Sequence, residues 1–349
     1  PSSHVGLHAQ LLAYDITKSD GINVGANPIQ TVPPRVGNSG AYPTRTYQYY
    51  AGHLEREGKP VTQLGRSVDN INATAIEFGG LNITPADVIK QSQKGLGGAM
   101  SILPIGSTWV DDARKANATV TAPGQTVYRD FAMVWHKALN TRWANGRPVE
   151  GIAAEGFGVP TDPQDNSSMA INYKTEPMWY RFGLAPDAPF GHADGAGYGD
   201  MLNAHMAYSN ALVGGDPQTP VLYAKPGQPF RTHILMPTGG SRGSTFQMDG
   251  HVWSVNPFLA EKSDVGGYPM GTPGVGSVRF GYNPMSMYIG ARESVLPAAH
   301  FSSMIPSAGG SNAIPGDYLF RDYGAFGNTS GLWGLLRVTN EPEPTPPAQ

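Results

Sequence analysis

Apolar and polar residues alternate along short stretches of this chain, and turns rich in glycine and proline separate those stretches. The clearest alternation covers residues 126–136. One face would carry Val127, Arg129, Phe131, Met133 and Trp135, and the other Tyr128, Asp130, Ala132, Val134 and His136. A period of two is typical of a β-strand, because successive side chains point to opposite faces of the sheet.

The end of the chain predicts a closing β-hairpin at residues 314–324 and 331–338. Pro315, Gly316 and Asp317 are a turn signal, and an aromatic-rich stretch follows them. Residues 332–338 are apolar enough to be buried on both faces, so we expect them to form a central strand.

Comparable patterns predict further strands at residues 5–15, 44–50, 96–104, 221–223, 230–236, 244–255 and 279–288. A helix is expected at 86–94, because Thr84 is a suitable N-cap, Pro85 fits a first turn and Gly95 would end it. Many short strands, in a chain with 45 glycines and 31 prolines, indicate an all-β fold.

The length of 349 residues is enough for two domains. The polar stretch 111–118 is the best connection between them, so we predict a first domain at 1–115 and a second at 116–339. Residues 185–215 are rich in Gly, Ala and Asp and indicate an insertion in the second domain. Over 340–349 proline alternates with Glu, Thr and Ala, which predicts an extended tail outside the core.

Composition excludes several kinds of chemistry. The chain has no cysteine, so it cannot by itself form a disulfide, an iron–sulfur cluster, a cysteine-ligated zinc site or a blue copper site. The formal net charge of −3 indicates neither nucleic acid nor an anionic membrane as a partner. No apolar run reaches the roughly 18 residues that a membrane-spanning helix needs.

Several stretches resemble a known family. They are the closing hairpin at 315–338, the stretch 232–253, the element Asn172-Tyr-Lys-Thr-Glu-Pro177, and residues 94–109 with Lys94-Gly-Leu-Gly-Gly-Ala99 and Gly106-Ser-Thr-Trp109. In them the chain is similar to the multicopper oxidases, in particular the large bacterial, manganese-oxidase-like members. The resemblance covers most of residues 4–338. It implies two cupredoxin-like Greek-key β-sandwich domains, the first of them incomplete.

The same resemblance implies where copper ligands would lie. Family members use four pairs of histidines at i and i+2, and a His-Cys-His element in the closing loop, but here loop 322–330 contains neither residue type. His8 matches one pair with Gln10 in place of the second imidazole, and His251 matches another with Asp249 in place of the first. His8, Asp249 and His251 are therefore the candidate metal ligands. The alternative for each histidine is a structural ring that bonds a loop carbonyl.

Three functions follow from this resemblance. The first is a non-catalytic subunit, or a processed fragment, of a larger copper oxidase assembly, with copper held elsewhere in the assembly and no oxidase activity in this chain alone. The second is a degenerate cupredoxin scaffold or interaction protein of an extracellular assembly. The third is an enzyme with a mononuclear metal site at Asp249 and His251. The family resemblance implies an extracellular or periplasmic location.

The start of the first domain suggests a protein partner. In the family, earlier strands of the sandwich precede the strand with the first histidine pair, whereas its counterpart here, 7–14, begins almost at residue 1. We therefore expect a partner chain, or the upstream half of a cleaved precursor, to complete this sheet. Such an obligate contact would bury more than about 2,000 Å².

Overall fold

The computed structural model describes most of the chain, and for 53–63, 66–75 and 93 it describes the backbone alone. The predicted insertion at 185–215, apart from Tyr208, and most of the predicted strand at 279–288 lie outside the described part. The described residues are 3–22, 29–35, 37, 42–63, 66–75, 77–111, 115–137, 139, 169–176, 208, 216–239, 243–255, 286–323, 327–328 and 330–344.

These residues form an all-β structure, as the sequence predicts. The only helical element among them is a 3₁₀ turn at Ser92–Lys94, so no described helix has the length or the apolar character to cross a bilayer. The strands are β1 (Leu7–Ala9), β2 (Ala13–Tyr14), β3 (Tyr49–Tyr50), β4 (Gly52–Gln63), β5 (Arg66–Ala75), β6 (Gly79–Pro85), β7 (Gly98–Ile102), β8 (Thr108–Asp111), β9 (Asn117–Thr121), β10 (Tyr128–His136), β11 (Ala170–Ile171), β12 (Val221–Ala224), β13 (Phe230–Leu235), β14 (Ser244–Met248), β15 (Trp253–Ser254), β16 (Tyr288–Ile289), β17 (Ala291–Val295), β18 (His300–Ile305), β19 (Gly316–Asp322) and β20 (Trp333–Val338).

Three sheets contain most of the strands. Sheet A has the order β1-β6-β7. Sheet B has the order β18-β13-β10-β9-β8, with β11 also paired to β10, and sheet C has the order β12-β20-β19-β14-β17. The pairs β10–β13 and β12–β20 are parallel, and the other pairs among these strands are antiparallel.

Sheets B and C pack face to face on a hydrophobic core. Phe131, Met133 and Trp135 of β10 lie in this core, which confirms the predicted apolar face of that strand. Trp135 meets Phe246 of β14 edge to face, with ring centroids 6.0 Å apart. Aromatic pairs in this arrangement add to the stabilisation that burial provides. The fold is therefore a β-sandwich in this part of the chain.

The closing hairpin is also confirmed. Strands β19 and β20 pair antiparallel from Gly316↔Val338 to Arg321↔Trp333. All residues of β20 except Arg337 are buried, because β12 and β19 flank the strand and both of its faces are covered. Trp333 is fully buried, and its indole Nε1 donates to the carbonyl oxygen of Glu176 at 2.8 Å.

Sheet A lies against the other face of sheet B, and the contact between them is polar. The side chain of Asn82 donates to the carbonyl oxygen of Ala299 at 3.0 Å, and the main-chain N–H of Gly80 donates to Nδ1 of His233 at 3.0 Å. This close approach requires a glycine at position 80, because a Cβ there would lie 2.4 Å from Cβ of His233. Sheet B thus has an apolar face toward sheet C and a hydrogen-bonded face toward sheet A.

Two local predictions were wrong. The helix expected at 86–94 is only the 3₁₀ turn Ser92–Lys94, because Thr84 and Pro85 belong to strand β6 and the carboxylate of Asp87 accepts from the N–H groups of Ile89 and Lys90 in a turn. Gly95 ends this turn in the left-handed conformation, as expected. The strand expected at 44–50 is limited to Tyr49–Tyr50.

The N-terminal stretch differs from its prediction as a single strand over 5–15. It breaks into β1 and β2 at Leu11, which has a φ of 65°, an unusual conformation for a residue with a side chain. Strand β1 pairs with β6, and β2 pairs with β3. Both partners are strands of this chain, and β1 forms an edge of sheet A.

The stretch predicted to connect the two domains contains the end of β8 and the start of β9, which are neighbouring strands of sheet B. Strands β8 and β9 pair antiparallel from Thr108↔Thr121 to Asp111↔Ala118. The domain limits at 1–115, 116–339 and 340–349 stay a prediction.

Candidate functional site

A groove of about 870 Å³ lies on the face of sheet B that is turned toward sheet A. Asp130, Ala132 and Val134, from the second predicted face of β10, line it together with Ser101 and His233. Its remaining walls are largely apolar and include Leu103, Val120, Leu222 and Trp109, whose exposed fraction is 58%. An apolar groove with a few converging polar groups is the usual form of a ligand site.

The polar groups of the groove belong to a buried network around His233. Nε2 of the ring meets the carboxylate of Asp130, and Nδ1 lies 2.6 Å from Oγ of Ser302 and 3.0 Å from the main-chain nitrogen of Gly80. Because the N–H of Gly80 is a donor, this geometry favours the tautomer in which Nδ1 accepts and Nε2–H donates to Asp130. The hydroxyl of Ser101 donates to the other oxygen of Asp130 at 3.3 Å.

Asp130 is held as an anion. Burial raises the pKa of its carboxyl, but His233, Arg231 and the hydroxyl of Ser101 together bring the pKa below the ordinary value. A buried carboxylate needs such partners, because the loss of solvation would otherwise favour its protonated form. The groove therefore has a negative group at its floor.

The arrangement is not that of an acyl-transfer triad. In such a triad the carboxylate and the nucleophile use different ring nitrogens of the histidine. Here Ser101 and Asp130 both approach Nε2 of His233, at 3.4 Å for Ser101. Ser302 reaches Nδ1, but it is buried against Gly79 and Gly80. The cluster can bind and orient a polar group, and its hydroxyls are not placed for nucleophilic attack from the groove.

A buried ion pair lies next to this network. The guanidinium of Arg231 bonds Glu77, donates to Oε1 of Gln125 at 2.9 Å, and lies over the ring of Tyr128 with its Cζ 4.1 Å from the centroid. Burial raises the pKa of Glu77, and the attraction of Arg231 only partly offsets that effect. The pair joins β13 to the segment that enters β6, so it holds sheet A against sheet B.

His251, one of the predicted metal ligands, bonds the main chain through both of its ring nitrogens. Its Nδ1–H donates to the carbonyl oxygen of Asp249 at 2.9 Å, and its Nε2 accepts from the N–H of Gly309 at 3.0 Å. Burial lowers the pKa of the ring, which is consistent with a neutral imidazole in this tautomer. The carboxylate of Asp249 accepts from Nε2 of Gln247 at 2.7 Å. In this structure both ring nitrogens of His251 bond the main chain, so the ring presents no free nitrogen to a copper ion.

His8 lies in a different sheet from Asp249 and His251. It belongs to β1 of sheet A, whereas Asp249 and His251 follow β14 of sheet C. Nδ1 of His8 bonds the carbonyl oxygen of Asp20 at 3.0 Å, and its ring meets Tyr14 edge to face. Within the described part of the chain, no group of three or more His, Cys, Asp or Glu could hold a metal ion. Ligation by His8, Asp249 and His251 stays a prediction.

The wall of the groove contains a feature that the sequence pattern did not predict. Asn172 and Tyr173 have φ values of 52° and 60°, which are costly for residues with side chains. The side chain of Asn172 bonds the main chain of β10 in the way that a neighbouring strand would. It accepts from the N–H of Val134 at 2.8 Å and donates to the carbonyl of Ala132 at 2.9 Å. This places Tyr173 in the wall of the groove and against the ring of His136.

No protein-family model matches the chain, and no curated protein matches it in sequence. Several solved structures are similar in fold. A copper nitrite reductase from Nitrosomonas europaea has 11% identity and a TM-score of 0.41, over 98% of this chain and 76% of that one. A blue copper oxidase from the same organism has 13% identity and a TM-score of 0.46, over 96% and 69%. A multicopper oxidase has 13% identity and a TM-score of 0.43, over 96% and 70%. Likenesses of this size transfer neither a metal nor an activity to this chain.

Proposed function

We propose that this chain is a cupredoxin-type protein of the multicopper-oxidase kind that acts as a non-catalytic subunit, or a processed fragment, of a larger copper oxidase assembly. Copper would be held elsewhere in that assembly, and the location would be extracellular or periplasmic. The proposal rests on the motif resemblance and on the β-sandwich of sheets B and C. The manganese-oxidase-like subtype is part of the same proposal.

The observation that carries the proposal is the pair of main-chain bonds made by His251. The ring bridges the carbonyl of Asp249 to the N–H of Gly309, so it ties the turn after β14 to the loop after β18. Phe230 and Tyr318 pack edge to face against it, with ring centroids 5.5 and 4.7 Å away. A residue at a degenerate copper position thus serves to hold two loops together, which favours a scaffold over a mononuclear metal enzyme.

The place proposed for the partner is the edge of sheet A. Among the described strands of sheet A, β1 has β6 on one side and is outermost, and the hydroxyl of Tyr49 donates to the carbonyl oxygen of Leu7 at 2.8 Å. An edge strand offers main-chain donors and acceptors to a strand of another chain. In this proposal a partner chain, or the upstream half of a precursor, adds strands beside β1.

Metal analysis of the purified full chain after copper loading and dialysis tests the scaffold function. We expect substoichiometric copper, no thiolate-to-copper absorption and no oxidation of phenols or manganese, with identical metal content in His251→Ala. One tightly bound ion per chain that His251→Ala removes would establish the third hypothesis instead. Light scattering of the isolated chain tests the partner and should show association. A monodisperse monomer would contradict a partner strand beside β1.

A second function, that of a binding module, is favoured by the groove. Its walls are apolar, and the carboxylate of Asp130 lies at its floor. The neutral, apolar fluorescent probe Nile red should bind with saturation to the wild type. Ala132→Trp fills the groove and should abolish this binding, whereas Ala291→Trp, at an exposed position of β17, should not. Equal probe binding by both variants would exclude the groove as a binding site.

A further inference from the structure

We propose that Lys115, Asn117 and Arg129 form a binding site for the carboxylate of an extended acidic peptide, and that Glu343 of this chain occupies it. Oε1 of Glu343 lies 2.7 Å from Nζ of Lys115 and 3.5 Å from Nδ2 of Asn117. Oε2 of Glu343 accepts from Nη2 of Arg129 at 2.9 Å. Both oxygens of one carboxylate are thus bonded by separate side chains of sheet B and its β8–β9 turn.

Arg129 is oriented independently of Glu343. Its Nε donates to the carbonyl oxygen of Tyr223 at 3.0 Å, and its Nη1 donates to Oγ1 of Thr119 at 2.9 Å. These bonds fix the plane of the guanidinium and direct Nη2 toward the carboxylate. A donor held in this way loses little side-chain entropy when the anion binds.

The site is partly shielded from solvent. The side chains of Arg129, Lys115 and Glu343 have exposed fractions of 13%, 17% and 22%. Nζ of Lys115 also lies 5.9 Å from the ring centroid of Tyr223. Ion pairs with this degree of burial are screened by salt less than pairs on an open surface.

The contacts of residues 339–344 indicate that the ligand is a peptide and not a free carboxylate. The N–H of Thr339 donates to the carbonyl of Ala224 at 3.0 Å, which continues the pairing of β20 with β12. Lys115 donates to the carbonyl oxygen of Pro344 at 3.1 Å, one residue beyond the bound carboxylate. Pro342 and Pro344 restrict the segment to an extended form. The site therefore recognises a Glu-Pro unit through its side chain and the next carbonyl.

This recognition site adjoins the groove. Lys115 and Asn117 line the groove and also bond Glu343, so the bound carboxylate lies next to one end of it. An acidic segment from another protein could take the place of this internal ligand. The bonds of Glu343 to Lys115, Asn117 and Arg129 do not depend on whether the chain acts as a scaffold.

Peptide exchange with the full chain tests the site. The probe is a fluorescent, blocked peptide of residues 339–345, and the matched control peptide has Gln at both Glu positions. Glu343→Gln and, as a second variant, Glu343→Gly release the internal ligand, so each should bind the probe at least tenfold more tightly than the wild type. The control peptide should bind at least tenfold more weakly than the probe.

Two double variants combine Glu343→Gln with either Arg129→Met or Lys115→Met. Each should bind the probe at least tenfold more weakly than Glu343→Gln alone. An unchanged circular dichroism spectrum shows that the variants are folded. Raising the salt concentration should weaken binding further. Equal affinity for the two peptides, or no binding by either Glu343 variant at millimolar peptide, would overturn the proposal.

Discussion

The imidazole of His136 packs against the phenol ring of Tyr173 at a tilt of 34°, with ring centroids 4.2 Å apart. His136 is fully buried, and among the described residues neither of its ring nitrogens has a hydrogen-bond partner. Burial lowers the pKa of His136 from 6.5 to about 4. The hydroxyl of Tyr173 bonds the carbonyls of Gly95 and Gly97, at 2.6 and 2.8 Å, so this ring pair links the end of the 3₁₀ turn to β10.

Acid should therefore destabilise the protein through His136. Between pH 6.5 and about 4 the unfolded chain binds a proton at this residue and the folded chain does not, so stability falls as the pH falls. The full loss is about 3 kcal/mol. Urea unfolding between pH 7 and 4 measures it. His136→Phe keeps a ring against Tyr173 and should flatten this dependence, whereas an unchanged slope would show that other groups cause it.

Trp333→Ala should cost about 3–5 kcal/mol of folding free energy, because it leaves a cavity in a fully buried strand and leaves the carbonyl of Glu176 without its donor. His251→Ala should cost about 1–3 kcal/mol, since it removes two hydrogen bonds to the main chain. Thermal melts of both variants give the comparison. If His251→Ala lowered the melting temperature more than Trp333→Ala, Trp333 would contribute less to the stability of the fold than its burial indicates.

Arg231→Met should cost about 3–5 kcal/mol, because it leaves Glu77 buried without its cation and removes the donor to Gln125. Adding Glu77→Met should restore much of that loss, since a buried ion pair and an apolar pair of similar volume are often of similar stability. A double-mutant cycle by chemical denaturation measures the coupling. Strictly additive costs would show that the two residues do not act as a pair.

Gly80→Ala should weaken the packing of sheet A on sheet B by about 1–3 kcal/mol, because its Cβ would lie 2.4 Å from Cβ of His233. Gly98→Ala is the matched control on the neighbouring strand β7. Its Cβ would meet only Ile83, at an ordinary 3.7 Å. The rate of hydrogen exchange of the sheet A amides should increase in Gly80→Ala and not in Gly98→Ala. Equal exchange rates in the two variants would show that the steric fit at Gly80 does not hold sheet A on sheet B.

The sequence by itself determined the local elements whose pattern is periodic. The two faces of β10 and the closing hairpin β19–β20 could be predicted, because alternation along a strand and a short apolar run are local properties. The turn signal at Pro315, Gly316 and Asp317 was misleading, since Gly316 and Asp317 belong to β19. Thiolate chemistry could likewise be excluded from composition alone, since the chain has no cysteine. The short helix at 86–94 was predicted wrongly, since pairing with β1 keeps Thr84 and Pro85 in a strand.

Only the tertiary structure decided which polar residues meet. Asp130 and His233 are brought together by the parallel pairing of β10 with β13, and Glu343 reaches Lys115 from the far end of the chain. A strand pattern states that one face is polar, but it does not state which strand or sheet will cover that face. The covering element determines solvation, and solvation determines whether a carboxylate, an imidazole or a guanidinium is a surface group, a buried partner or part of a binding site.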